Sequence, residues 1–154
     1  MSFEKAKKYL QEKGYEDHII ELEDSSATVQ LAAEALGVEP GMIAKTLSFL
    51  VSDTPILILA EGTARVDNHK YKDTFRTKAK MIPFDDVEDF IGHAPGGVCP
   101  FGIKEGIPVY LDESLKKFDT VYPAAGNDHS AVRLTIAELE AVAGAEKWVD
   151  VCKE

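Results

Sequence analysis

Two cysteines in 154 residues, Cys99 and Cys152, are too few and too far apart for a disulfide framework or a structural zinc site, and no CxxC occurs. That usage fits a reducing compartment, the cytoplasm. No apolar run approaches the ~20 residues needed to cross a bilayer. Met1 to Lys13 alternates charged with apolar residues and lacks the apolar core of a signal peptide, so no membrane partner is expected. The four histidines, His18, His69, His93 and His129, show neither HxxxH nor HExxH spacing, which removes the usual frame of a catalytic metal. No Walker loop or dinucleotide fingerprint stands in a strand–helix context. Neither metal nor cofactor is expected. Basic residues are outnumbered, 17 Lys and Arg against 27 Asp and Glu, for a net charge of −10. That balance argues against a wide nucleic-acid surface, and DNA is not expected as a partner.

What remains is ordinary globular composition, 45% hydrophobic and 29% charged, enough for one domain over residues 1–154 with a real core. The charge is uneven. Between Arg65 and Lys80 six basic residues (Arg65, Lys70, Lys72, Arg76, Lys78, Lys80) meet two acids, Asp67 and Asp73. A local basic patch on an acidic body suits a protein that touches only the end of an RNA, and a solvated helix face gives the same pattern.

Phe3, Ala6 and Leu10 at helical spacing predict a first helix ending near Gly14. His18–Leu22 is a strand candidate. Ser25 to Thr28 offer capping hydroxyls to a helix that Gly37 ends. Ala44–Val51 and Ile56–Ala60 flank the polar turn Ser52-Asp53-Thr54-Pro55 and read as a hairpin. Asp67 is placed to cap a short basic helix through Phe75, Met81-Ile82 reads as a brief strand, and Phe84–Ile91 as a helix. Strands are expected at Ile107–Leu111, Thr120–Pro123 and Val132–Leu134, with a helical turn over Asp112–Lys117. Thr135-Ile136-Ala137-Glu138 matches a capping box opening a helix to Ala143, and Trp148–Val151 reads as an edge strand. No regular βαβ repeat emerges. The expected class is α+β, with a mixed, curved, barrel-like sheet and surrounding helices.

The chemistry concentrates in three segments. Gly96-Gly97-Val98-Cys99-Pro100-Phe101-Gly102 should form a rigid concave loop able to grip a carbonyl or phosphate through backbone amides. Lys45 stands among apolar neighbours, and on a strand it shares a face with Ile43 and Leu47. If that face is buried, the lysine needs an anionic partner or ligand. If it is exposed, it needs none. Gly126-Asn127-Asp128-His129 is a late loop in which Asp128 and His129 could form an acid/base pair. Cys99 is either a thiol nucleophile or a small loop-packing residue. Tyr15 and Tyr122 are either pocket walls or core aromatics.

A lysine in an apolar run, a Gly-xxx-Pro loop and a late glycine loop, in that order, resemble the YbaK/prolyl-tRNA-editing family of aminoacyl-tRNA deacylases. The most specific matches are Lys45-Thr46-Leu47, the Gly96–Gly102 loop and Val121-Tyr122-Pro123-Ala124-Ala125-Gly126. The resemblance implies the family's α+β editing fold and a free-standing hydrolase that removes a mischarged small amino acid from tRNA, proline tRNA above all. It implies catalytic roles for Lys45, Gly96, Gly97 and Pro100, and substrate contacts from Val98, Cys99, Gly126, Asn127 and His129. Arg65, Lys70, Lys72 and Arg76 would meet the tRNA acceptor end, and a prolyl-tRNA synthetase could serve as docking partner. Asn127-Asp128-His129-Ser130-Ala131 lacks the Arg-Gly-x-Asp-like run of cysteine editors, so cysteine specificity is not implied. Two other readings stay open: a catalytically silent module that binds a tRNA end or nucleotide, and a Cys99-dependent esterase.

Overall fold

The computed structural model describes residues 2–26, 28–95 and 97–153, with nothing stated for the Ser2 side chain. In chain order the elements are α1 (Ser2–Glu12), β1 (Ile19–Glu21), α2 (Val29–Leu36), β2 (Ala44–Val51), β3 (Thr54–Glu61), β4 (Arg65–Val66), α3 (Asn68–Phe75), α4 (Val87–Ile91), β5 (Val109–Asp112), β6 (Thr120–Val121), β7 (Ser130–Val132), β8 (Leu134–Thr135), α5 (Ile136–Ala143), β9 (Lys147–Val149) and β10 (Cys152–Lys153). Short 3₁₀ turns cover Glu16–His18, Pro40–Met42, Phe84–Asp86 and Glu113–Lys117.

The α+β class is observed. The central sheet is mixed, ordered β2-β3-β5-β9, with β2–β3 antiparallel and the other two pairings parallel. Three two-stranded pieces, β1–β7, β4–β10 and β6–β8, stand apart from it. Among the described residues the strands thus form four separate hydrogen-bonded sets. The expected curvature into a barrel is not present as a closed ladder.

The hairpin turn is tighter than the sequence suggests. Thr54 and Pro55 belong to β3, and only Ser52 and Asp53 turn the chain, both at positive φ (50° and 67°). Such a two-residue turn matches the natural twist of the strands. Pro55 is tolerated opposite Leu50 because the Leu50 N–H points away from β3, onto the Lys80 carbonyl at 2.8 Å. That makes the pair a non-hydrogen-bonded one, where a missing N–H breaks no ladder bond. Residues 80–82 run along the outer edge of β2, with Phe49 opposite Met81 and Ile82 N–H on the Ser48 carbonyl.

The expected strand at 132–134 divides at Arg133, whose N–H bonds to the His18 carbonyl at 3.0 Å. β7 then pairs with β1 and β8 with β6. The helix expected from Phe84 begins as a 3₁₀ turn before becoming α4. The caps form as read: the Thr28 hydroxyl accepts the Leu31 N–H, Asp67 accepts two N–H groups of α3, and Thr135 and Glu138 close a capping box. Ala27, expected before α2, lies outside the described residues.

Strand alternation gives the sheet two apolar faces. Leu57, Leu59 and Leu111 pack with Leu10, Phe101 and Leu139 on one side. Phe49, Ile58 and Ala60 pack with Tyr71, Val151 and Cys152 on the other. A small third cluster, Ala32, Ala33 and Ile43, lies under α2. No described helix is long and apolar enough to cross a membrane.

Candidate functional site

The start of β2 forms one wall of a cavity of about 300 Å³. Ala44, Lys45 and Thr46 line it from β2 with Ile43 just before the strand, and Ser26, Thr28, Val29 and Ala32 from the approach to α2 and the helix itself. Val98 and Pro95 contribute from the glycine-rich segment, Tyr122 and Ala124 from the stretch after β6, and Ser130 and Ala131 from β7. Phe84, 75% exposed, and Val87 complete the wall. Small and apolar side chains dominate, and Lys45 is the one charged residue among those lining it.

Lys45 lies opposite Ala60, on the strand side that continues through Leu47 and Phe49 into the second apolar cluster. It is half-buried. Its Nζ donates to the carbonyls of Gly62, at 3.4 Å, and Ala64. Burial pulls the ammonium below the usual lysine range, and the charge of the nearby Glu61 carboxylate partly offsets this. Lys45 is thus half-buried on a sheet covered on both faces, and its direct partners are backbone oxygens with a buried carboxylate close by.

Gly97 and the late loop are brought together. A Cβ built on Gly97 would lie 2.5 Å from Gly126 C and O and 2.7 Å from Asn127 N, so only glycine permits this backbone approach. Gly96 lies outside the described residues. Val98 is the member of this loop that reaches the cavity wall, and Pro100 is buried behind it.

Cys99 is fully buried and does not line the cavity. Its Sγ lies 3.5 Å from His93 Nε2 and takes part in hydrogen bonds with the backbone of Phe101 and Gly126. Burial pushes the thiol up to about 12. A thiol so placed is neutral at ordinary pH and joins the two loops instead of attacking a ligand. Asn127 and His129 do not line the cavity. His129 Nδ1 lies 3.0 Å from Asp128 Oδ1, with both side chains more than half exposed. Tyr122 lines the cavity, whereas Tyr15 packs edge-on against His18.

The basic stretch does not act as one block. Arg65, Lys72 and Arg76 are exposed, but Lys70 is tied to Asp150 at 3.1 Å and to the Cys152 carbonyl at 2.9 Å. Among the described residues no cluster of three His, Cys, Asp or Glu could hold a metal. Sequence reasoning missed Glu61, the acid that closes β3, and Phe84. The only hint of Glu61 was an acid ending the apolar run Ile56–Ala60 just before Gly62.

A family described as "Aminoacyl-tRNA editing domain" matches residues 23–142. A Bacillus subtilis (strain 168) protein, "Uncharacterized protein YwhH", is 45% identical over 100% of this chain and 99% of its own length. An Enterococcus faecalis protein, "Putative Cys-tRNA(Pro)/Cys-tRNA(Cys) deacylase EbsC", is 28% identical over 78% of this chain and 74% of its own. A "Proline--tRNA ligase" of Limosilactobacillus fermentum is 28% identical, and the match spans 66% of this chain but only 19% of the ligase. A solved structure described as "a putative trans-editing enzyme for prolyl tRNA synthetase" superposes with a TM-score of 0.89 at 31% identity, covering 99% of this chain and 98% of that one.

Proposed function

The chain belongs to the aminoacyl-tRNA editing domain family, and from that premise we propose that it is a free-standing deacylase that hydrolyses the ester of a mischarged small amino acid on proline tRNA. The observation that carries this reading is the Lys45 ammonium, fixed by two carbonyls at the wall of a cavity of about 300 Å³ with small, largely apolar walls. A cation in such surroundings interacts strongly with a phosphate or with charge developing on an ester oxygen, because little water screens it.

In this reading the aminoacyl group enters between Val29, Ala32, Val98 and Ala124, and Lys45 orients the ester or the adjoining phosphate. A water, or a hydroxyl or thiol of the substrate itself, attacks the carbonyl carbon. The tetrahedral oxyanion faces Lys45 and the backbone around Val98. Its collapse breaks the ester bond, and the ribose oxygen leaves with a proton. Gly97 and Pro100 act by holding the loop in place. Arg65, Lys72 and Arg76 supply exposed cations for the acceptor end. An aminoacyl ester is already activated, so positioning and charge suffice, one good oxyanion donor being worth about 3–4 kcal/mol.

The test is deacylation of proline tRNA charged separately with alanine, cysteine, serine, threonine and proline, by wild type and Lys45→Ala. The reading expects Lys45-dependent release of a noncognate residue with proline spared. A folded Lys45→Ala protein with full activity overturns the mechanism. Binding to the tRNA without release of any residue supports the silent-module alternative.

A further inference from the structure

Lys45 is held by a turn, and that turn is built on a buried acid. Glu61, the last residue of β3, is only 2% exposed. Its Oε1 accepts the Thr63 hydroxyl at 2.5 Å, and its Oε2 lies 3.9 Å from Lys117 Nζ. Its N–H donates to Ser114 Oγ at 3.2 Å, and its carbonyl accepts the Ala64 N–H at 3.1 Å. Gly62 is pressed onto the preceding 3₁₀ turn: a Cβ there would lie 2.0 Å from the Pro40 carbonyl oxygen. A Cβ on Gly41 would in turn lie 3.0 Å from Glu61 Oε2. The carbonyls this tight turn presents, Gly62 and Ala64, are the ones that receive Lys45 Nζ. A carboxylate is expensive to bury, and an ordinary turn needs none. Its place here fits a task that an uncharged residue could not perform.

We infer that Glu61 and Thr63 are positioning residues for Lys45: the carboxylate, held by the Thr63 hydroxyl, clamps the 61–64 turn so that its carbonyls aim the ammonium into the cavity wall. Only the kinetic arm of this inference rests on the deacylase reading. The groups that face Lys45 are Glu61 at the end of β3 and the Cys152 thiol from β10, with Asp112 and Lys70 beside Cys152 and Lys117 beside Glu61. Burial foremost, with Asp112, pushes Cys152 up to about 12, so it stays neutral over the range to be tested.

The experiment follows the titration of the Lys45 side chain by NMR in the intact protein with isotopically labelled lysine, the signal assigned by its loss in Lys45→Ala. Glu61→Gln should move the Lys45 titration to lower pH. Lys117→Met, which removes a competing cation, should move it to higher pH. Thr63→Val leaves the charges in place and should lower kcat about tenfold at unchanged KM, with Thr63→Ser restoring it. A Lys45 titration that is the same in Glu61→Gln and Lys117→Met, or full kcat in Thr63→Val, overturns the inference. If Glu61→Gln does not fold, Lys117→Met and Thr63→Val carry the test. If the wild type releases no amino acid, the deacylase reading fails while the titration still decides the role of Glu61.

Discussion

Replacing Gly97 with alanine tests the junction between the two loops most directly. The added Cβ would stand 2.5 Å from Gly126 C and O, where ordinary contact begins near 3.4 Å. The loops must therefore part by about 0.9 Å, and the obstructing atoms are backbone, which cannot swing aside as a flexible side chain can. Gly97 is not among the glycines at positive φ, so the penalty is steric and not conformational. Overpacking of this kind costs about 1–3 kcal/mol, which in a domain of this size lowers Tm by roughly 2–12 °C. Activity should suffer more than stability. Val98 lines the cavity one residue away, and a displacement of ~1 Å there predicts about a hundredfold loss in kcat. The assay is single-turnover deacylation of charged tRNA alongside thermal unfolding. Gly106→Ala is the control, because a Cβ there meets nothing within 4 Å and only the backbone at φ +82° is strained. If Gly97→Ala matches wild type in both rate and Tm, the close approach of the two loops is wrong.

Three further outcomes are expected. His93 is fully buried, and burial holds its imidazole below the ordinary histidine range; its Nδ1 has no partner among the described residues. The neutral form is thus favoured by the fold, so stability should be complete above about pH 6.5 and decline as pH falls below it. Melting curves from pH 7.5 to 5 should show this, and His93→Phe should flatten the slope. Cys99 and Cys152, both pushed up to about 12, should resist iodoacetamide at pH 8 in the native protein and react only on unfolding; fast native labelling of Cys99 would revive the esterase reading. Thr135→Ala removes the cap of α5 and should cost about 1 kcal/mol in urea unfolding without altering deacylation.

Local signals were the legible ones. Thr28, Asp67 and Thr135 act as caps because a hydroxyl or carboxylate beside the first free N–H groups needs no distant partner. The period of two along β2 put Lys45 on the Leu47 side correctly, since alternation is fixed by the backbone. What was illegible depends on long-range pairing. The division at Arg133 arises because His18, far away in sequence, takes its N–H. The α+β class with a mixed sheet was legible, whereas whether sheet edges meet to close a ladder is not, because local patterns carry no record of distant edges. For Lys45 the sequence left two readings, an anionic partner or ligand on a buried face and none on an exposed one. Two carbonyls hold it directly, and an acid 16 residues along the chain supports the turn that presents them, a pairing no local pattern shows.

The surroundings of Lys45 join distant parts of the chain. β10 pairs with β4, Cys152 opposite Val66, and the Val151 N–H is caught by buried Asp112 at 2.8 Å. The cation on β2 is therefore walled by a strand about a hundred residues later, beyond the 23–142 stretch that carries the family match. Closures spanning so much sequence cost loop entropy and are slow to form. The setting of Lys45 is therefore a property of the whole chain: β2 carries it, the turn after β3 holds it, and β10 walls it in.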